Sequence, residues 1–173
     1  MSSNLVAKRT PLTERSWYRW YALGILVLVF TSSHVDRQIM GILLEPIKQD
    51  LGASDTQMGF LIGLTFALFY ATLGMPIAML ADRSNRRNII TAAITIWSGM
   101  TVVCGYAQNF VQLALARIGV GIGEAGSSPP SHSMISEMLP LSHLGTAMGI
   151  YALGVNIGLL LSLIHISEPT RPY

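Results

Sequence analysis

Charge is the scarcest feature of this sequence. Of its 173 residues only 12% are Asp, Glu, Lys or Arg, while 51% are hydrophobic, and soluble domains carry roughly 25% charged residues. With a mean hydropathy of +0.49, the chain reads as an integral, multi-pass membrane protein whose first partner is the lipid bilayer. A formal net charge of +2 is too small and too scattered for a nucleic-acid surface, and no such partner is expected. There is one cysteine, Cys104, so neither an intrachain disulfide nor a thiolate metal cluster can organise the fold. The apolar core and small-residue cleavage site of a signal peptide are missing as well. Residues 1–19 are polar and basic, and the first apolar run is expected to remain as an anchor. No Gly-x-Ser-x-Gly nucleophile elbow occurs, and no cofactor motif stands up to its context.

What is present is a series of apolar runs with polar turns. Trp17, Tyr18, Trp20 and Tyr21 mark a membrane interface, and about 20 residues are needed to cross the hydrocarbon core. Span one is therefore expected over Trp20 to Leu44, through the polar stretch Thr31 to Arg37. Pro46 and Gly52 lie in the polar connection that follows, Gly52 being available for its turn. Ser54-Asp55-Thr56-Gln57 has capping-box spacing, so span two is expected from about Thr56 to Leu80. Asp82 to Arg87 is a charged turn, and Ile89 to Tyr106 supplies span three. Span four begins at Phe110 and is carried through a kink at Pro129-Pro130 to about Met138, with neighbouring serines satisfying freed carbonyls. After a turn over Leu139 to Gly145, a fifth span starts at Thr146 and runs to about Leu160.

Lys8, Arg9, Arg15 and Arg19 precede span one, and Arg83, Arg86 and Arg87 follow span two, whereas the intervening connection has only Lys48. That asymmetry places the amino terminus in the cytoplasm of a plasma or bacterial inner membrane.

Charges inside the spans carry the functional expectation. At 1.5 Å per residue, Asp36 and Arg117 each lie about 10 to 12 Å below the outer surface and can meet. Arg117 and Glu124, seven residues apart, share a helix face, with Glu124 about 10 Å deeper. The lesser alternative is a purely structural Asp36–Arg117 pair that orients two helices. Glu124, with only Arg37 as a further deep cation, is a candidate proton-binding carboxylate. Gly121-Ile122-Gly123-Glu124-Ala125-Gly126 spells the letters of a dinucleotide fingerprint, but it lacks the preceding strand that motif needs. Together with Gly119, these glycines fit close helix packing instead. His34 and His132 read as polar lining rather than metal ligands. Ser127, Ser128, Ser131 and His132 only weakly suggest an intramembrane hydrolase.

Ala78 to Ile90, with Ala81-Asp82-Arg83-Ser84-Asn85-Arg86-Arg87 at its centre, resembles the loop 2-3 signature of the major facilitator superfamily. Ala78 and Asn85 stand where the usual pattern has glycine, and Asn85 is expected to tolerate the left-handed turn in glycine's place. Asp36-Arg37-Gln38, the Arg117 to Gly126 run and Ser128-Pro129-Pro130-Ser131-His132 resemble more narrowly the Spinster-like branch, over about Trp20 to Gly158. The resemblance implies an all-α membrane protein holding part of the amino-terminal six-helix half of a twelve-helix carrier. In such a carrier spans one and four line a central cavity, and access alternates by rocking. It implies no enzyme activity, and a monomer when full length. Asp36, Arg37, Arg117 and Glu124 are then the solute and proton cavity residues, with protonation switching at Asp36 and Glu124 and anion anchoring at Arg37 and Arg117. Asp82, Arg83, Arg86 and Glu137 form the gating motif, with Arg87 a topology determinant.

Leu161 to Arg171 changes character and resembles a translated sequencing-library adapter. Residues 20–160 are thus expected to hold spans one to four and the start of five, and 161–173 a non-native tail. Such a fragment is expected not to transport alone. The function implied for the full-length protein is secondary active or facilitative transport of an amphiphilic or anionic organic solute, with protons as a candidate coupling ion. Other facilitator carriers of sugar phosphates, organic acids or drugs, and a non-transporting scaffold or receptor, are the alternatives.

Overall fold

The computed structural model describes residues 16–167, with the side chains of all of them except 65, 66, 82 and 163–167. Eight α-helices and one π-helical segment build them: α1 (Ser16–Ile42), α2 (Leu44–Leu51), α3 (Asp55–Gly59), the π segment Phe60–Thr65, α4 (Phe66–Arg83), α5 (Arg86–Gly105), α6 (Phe110–Ala125), α7 (Ser128–Met138) and α8 (Leu141–Ser167). Lys8, Arg9 and Arg15, and residues 168–173 of the expected tail, lie outside the described residues.

Among the described residues, three helices are long and apolar enough to cross a membrane: Asp55–Ala81, Arg86–Gly105 and Leu141–Ser162. α1 has the length, at 27 residues, but its polar stretch from Thr31 to Gln38 lowers its hydropathy. The expected fourth span is divided. Its break falls at Gly126-Ser127, upstream of the prolines, which occupy the first turn of α7 where a missing N–H costs nothing. The Ser127 hydroxyl donates to the Glu124 carbonyl at 2.9 Å and that of Ser131 to the Ser127 carbonyl at 2.6 Å, so serines do satisfy the carbonyls at the kink.

Three other boundaries differ from expectation. The connection after α1 contains the helix α2, with Pro46 tolerated in its first turn. Leu139 and Pro140 alone form the turn before α8, since α8 starts at Leu141 and continues through Ser167. Asn85 is not left-handed: at φ −70° it caps α5, its side chain accepting from the Arg87 N–H. Gly52 is at φ +60°, the left-handed end of α2. The Ser54/Gln57 capping box forms in both directions, at 3.2 and 2.8 Å.

Two helix pairs dominate the packing, α5 with α6 and α1 with α8, and α4 also lies along α6. Glycines line both seams. A Cβ on Gly119 would fall 2.6 Å from Met100 Cγ, one on Gly123 2.6 Å from the Trp97 backbone nitrogen, and one on Gly126 3.0 Å from Ala93 Cβ. Positions 119, 123 and 126 thus meet 100, 97 and 93 in register. In α8, Gly154 and Gly158 meet Thr31 and His34 of α1 in the same way. Small residues let the backbones approach where the apolar solvent supplies no drive to associate.

Apolar side chains gather at the two ends. Leu23, Leu26, Ile90, Ile135, Leu139, Ala147 and Tyr151 form one cluster, and Met40, Ala53, Met58, Leu61 and Leu113 the other. Asp36 and Arg37 of α1 and Arg117 and Glu124 of α6 fall between them.

Candidate functional site: a charged seam between α1, α4 and α6

Arg37 and Glu124 form the centre of the site. Arg37 Nε donates to Glu124 Oε2 at 2.7 Å, and Nη2 lies 2.6 Å from the same oxygen. The Glu124 side chain is fully buried and the Arg37 side chain is 32% exposed, so one partner is sealed and the other only partly so. Glu124 Oε1 is buried and accepts no hydrogen bond from the described residues. The guanidinium carbon stands 5.1 Å from the ring centroid of Tyr70 on α4, a cation–π distance.

Asp36, the next residue of α1, accepts from the Thr101 hydroxyl of α5 at 3.2 Å. Arg117 is buried at 5% exposure and lies close enough to act electrostatically on both Asp36 and Glu124. All four expected cavity residues therefore belong to one cluster. Arg37, the one further deep cation expected for Glu124, reaches it directly.

Counting along the axes missed that contact for a physical reason. Measured from the ends of α1 and α6 that meet in the Met40–Leu113 cluster, Arg37 lies about 8 Å in and Glu124 about 21 Å in. The two helices run antiparallel, and each Cβ tilts toward its own helix N-terminus. Arg37 therefore leans deeper and Glu124 shallower, and two long side chains close the remaining gap.

At the other end, Arg86 Nη1 donates to Glu137 Oε2, joining the start of α5 to the end of α7. Arg83 and Arg87 are exposed. Asp82 is in the last turn of α4, and its side chain is outside the described residues.

An aromatic group went unforeseen in the sequence. Phe30 stacks on Tyr151 at 4.4 Å between centroids, and the rings of His34 and His132 meet Phe30 and Tyr151 edge-on at 4.5 and 5.0 Å. The Tyr151 hydroxyl is within hydrogen-bonding reach of Ser131 and Ser128. Its only sequence signal was the i, i+4 spacing of Phe30 and His34. His132 Nδ1 meets the Ser128 carbonyl oxygen at 3.0 Å. No group of three metal-ligating side chains converges among the described residues.

A family model described as Major Facilitator Superfamily matches residues 26–165. The chain belongs to that superfamily. As a major facilitator with these apolar helices it is an integral, multi-pass membrane protein. It is similar to an MFS-type efflux pump of Mycolicibacterium smegmatis, 37% identical over 166 residues, covering 95% of this chain and 39% of that one. A probable L-galactonate transporter of Escherichia coli is 31% identical over 141 residues, covering 80% and 31%. Among solved structures, a bacterial homologue to the human lysosomal transporter Spinster, inward-facing and unoccupied, superposes with a TM-score of 0.83. It is 45% identical and covers 86% of this chain and 31% of that one. The chain is thus a Spinster-like major facilitator in fold and sequence, and it spans between 31% and 39% of the length of these relatives.

Proposed function

We propose that this chain provides the charged wall of a secondary carrier that moves an amphiphilic or anionic organic solute across the membrane by alternating access, coupled to protons. The observation that carries this reading is the Arg37–Glu124 pair, a sealed carboxylate on a partly exposed arginine side chain. In that arrangement a protonated Glu124 surrenders its hold on Arg37, which is then available to an anionic group. An ionised Glu124 reclaims it and expels the solute. Asp36, beside Arg117 and Thr101, is the second protonation switch, and Arg117 the second anion anchor. The names of relatives support the solute class, since they include probable transporters of L-galactonate and sulfoacetate and a transporter of gallate.

The amino terminus is cytoplasmic in this scheme, because the basic residues around Arg19 and from Arg83 to Arg87 sit on that side. Asp82, Arg83, Arg86 and Glu137 then form the inner gate, with Arg86–Glu137 as its latch. Glu137→Gln is expected to increase cytoplasmic-side cysteine labelling of a cavity position, and unchanged labelling would remove the latch.

The reading is tested by flux into proteoliposomes containing the full-length reading frame, using a panel of galactonate, gallate and sulfoacetate. Wild-type flux should depend on an imposed pH gradient, and Glu124→Gln should weaken that dependence, leaving only the share carried by Asp36. A non-transporting scaffold or receptor would instead give no flux in either protein.

A further inference from the structure

We propose that His34 and His132 form a second subsite of the solute path, one that accepts hydrogen bonds from hydroxyl groups, so that the anion carried is a hydroxylated one. This rests on the reading that an organic anion occupies the charged seam, and it narrows that anion by chemistry. Each imidazole has one nitrogen already engaged. His34 Nδ1 lies 2.9 Å from the Phe30 carbonyl oxygen and His132 Nδ1 3.0 Å from that of Ser128, each four residues back in its own helix. A carbonyl oxygen only accepts, so in both neutral rings Nδ1 carries the hydrogen. Nε2 is then a bare acceptor in each. Among the described residues nothing donates to either Nε2.

The surroundings suit a hydroxyl donor. Phe30, His34 and Arg37 follow one another at four- and three-residue spacing and share a face of α1. His34 therefore lies about 4.5 Å along the axis from Arg37, within the length of a small hydroxy acid. His132 is exposed and His34 half-buried. The two histidines are joined by the stacked rings of Phe30 and Tyr151, which they meet edge-on. The Tyr151 hydroxyl is within hydrogen-bonding reach of Ser131 and Ser128, so the two Nε2 atoms are the acceptors this aromatic wall leaves over. Acceptors without donors discriminate by chemistry. A solute hydroxyl donates to them, whereas a methylene or a second carboxylate does not.

The test is isothermal titration calorimetry on the full-length protein in nanodiscs, in mildly alkaline buffer where an imidazole is neutral. Glu124→Gln is present throughout, so that the anion site stays in its neutral-carboxylate form. Gallate is paired with benzoate and galactonate with hexanoate, each pair sharing a carboxylate and differing in hydroxyls. Replacing both histidines, as His34→Phe with His132→Phe, keeps the rings and removes the acceptors. Gallate and galactonate should then bind about tenfold more weakly, since each neutral hydrogen bond is worth roughly two- to tenfold in affinity. Benzoate and hexanoate should stay within about twofold of the parent. His34→Gln with His132→Gln, which returns an acceptor near each Nε2, should recover most of the loss. A merely structural role would weaken all four anions together, and that result overturns the proposal, as does a phenylalanine variant that binds gallate and galactonate as the parent does. Should the double variant lose its monodisperse elution, His34→Phe and His132→Phe singly should each weaken only the hydroxylated anions, by about threefold. Four anions bound with losses that ignore their hydroxyls remove the histidine subsite and leave the anion site standing, whereas no binding of any of the four removes the anion site and the subsite with it.

Discussion

Replacing Gly123 by alanine should cost the α5/α6 seam more than any other single methyl added along it. The new Cβ would fall 2.6 Å from the Trp97 nitrogen, 2.8 Å from Trp97 Cβ and 3.0 Å from Trp97 Cα. Two of those atoms are helix backbone, so relief requires the two helices to part. Overpacking of this kind costs about 1–3 kcal/mol, and alanine returns about 0.8–1.0 kcal/mol of helix propensity. The net expectation is about 1–2 kcal/mol of destabilisation, with the steric term at its upper end because backbone cannot swing away. Gly119→Ala is the control. Its Cβ meets Met100 Cγ at 2.6 Å and Sδ at 2.8 Å, the flexible part of an adaptable side chain, so propensity and crowding should nearly cancel. Gly24→Ala meets nothing within 4 Å and should be neutral or stabilising. Denaturation by SDS in mixed micelles, followed by tryptophan fluorescence, ranks the three. A Gly123→Ala protein as stable as Gly119→Ala would refute the close-approach account of this seam.

Three further outcomes are expected. Arg37→Leu leaves the buried Glu124 carboxylate without its direct partner and should cost about 3 kcal/mol, the low end for a broken buried pair because Arg37 is partly exposed; Arg37→Leu with Glu124→Leu should recover most of that stability in the same denaturation assay, yet no solute flux. Ser54→Ala removes a formed capping box and should cost about 1 kcal/mol, seen as lost hydrogen-exchange protection at the Gln57 amide. The hydrogen bond to Asp55, at 2.5 Å, holds the Lys48 ammonium above its ordinary value of 10.5; the pairing is therefore complete below pH 10.5 and lost as pH rises through the higher folded value. An NMR titration of Lys48 should move down toward 10.5 in Asp55→Asn, and an unmoved titration would contradict the pairing.

The legible parts of the molecule were those governed by local or one-dimensional rules. Ser54 and Gln57 announced a helix start because a capping box needs only four residues. Gly119, Gly123 and Gly126 announced close packing because their spacing repeats a helix face. Arg86 and Glu137 came from a motif, and they do meet. The pairing at the centre was not legible, because it depends on the direction in which antiparallel helices lean their side chains and on the reach of Arg37. The π segment Phe60–Thr65 has no signature in residue type, so the setting of Tyr70 could not be read. Pro129-Pro130 drew the expected kink toward itself, whereas the chain bends at Gly126-Ser127 and uses the prolines to start the next helix. Pro46 likewise begins α2 instead of breaking a loop.

The central claim is that Glu124, by taking and losing a proton, controls whether Arg37 is available to an anion. Anion flux by the full-length carrier, measured against an imposed pH gradient with and without Glu124→Gln, tests it most directly. The account predicts gradient-dependent flux in the wild type and a markedly weaker dependence in the variant. Identical pH dependence in both would contradict it.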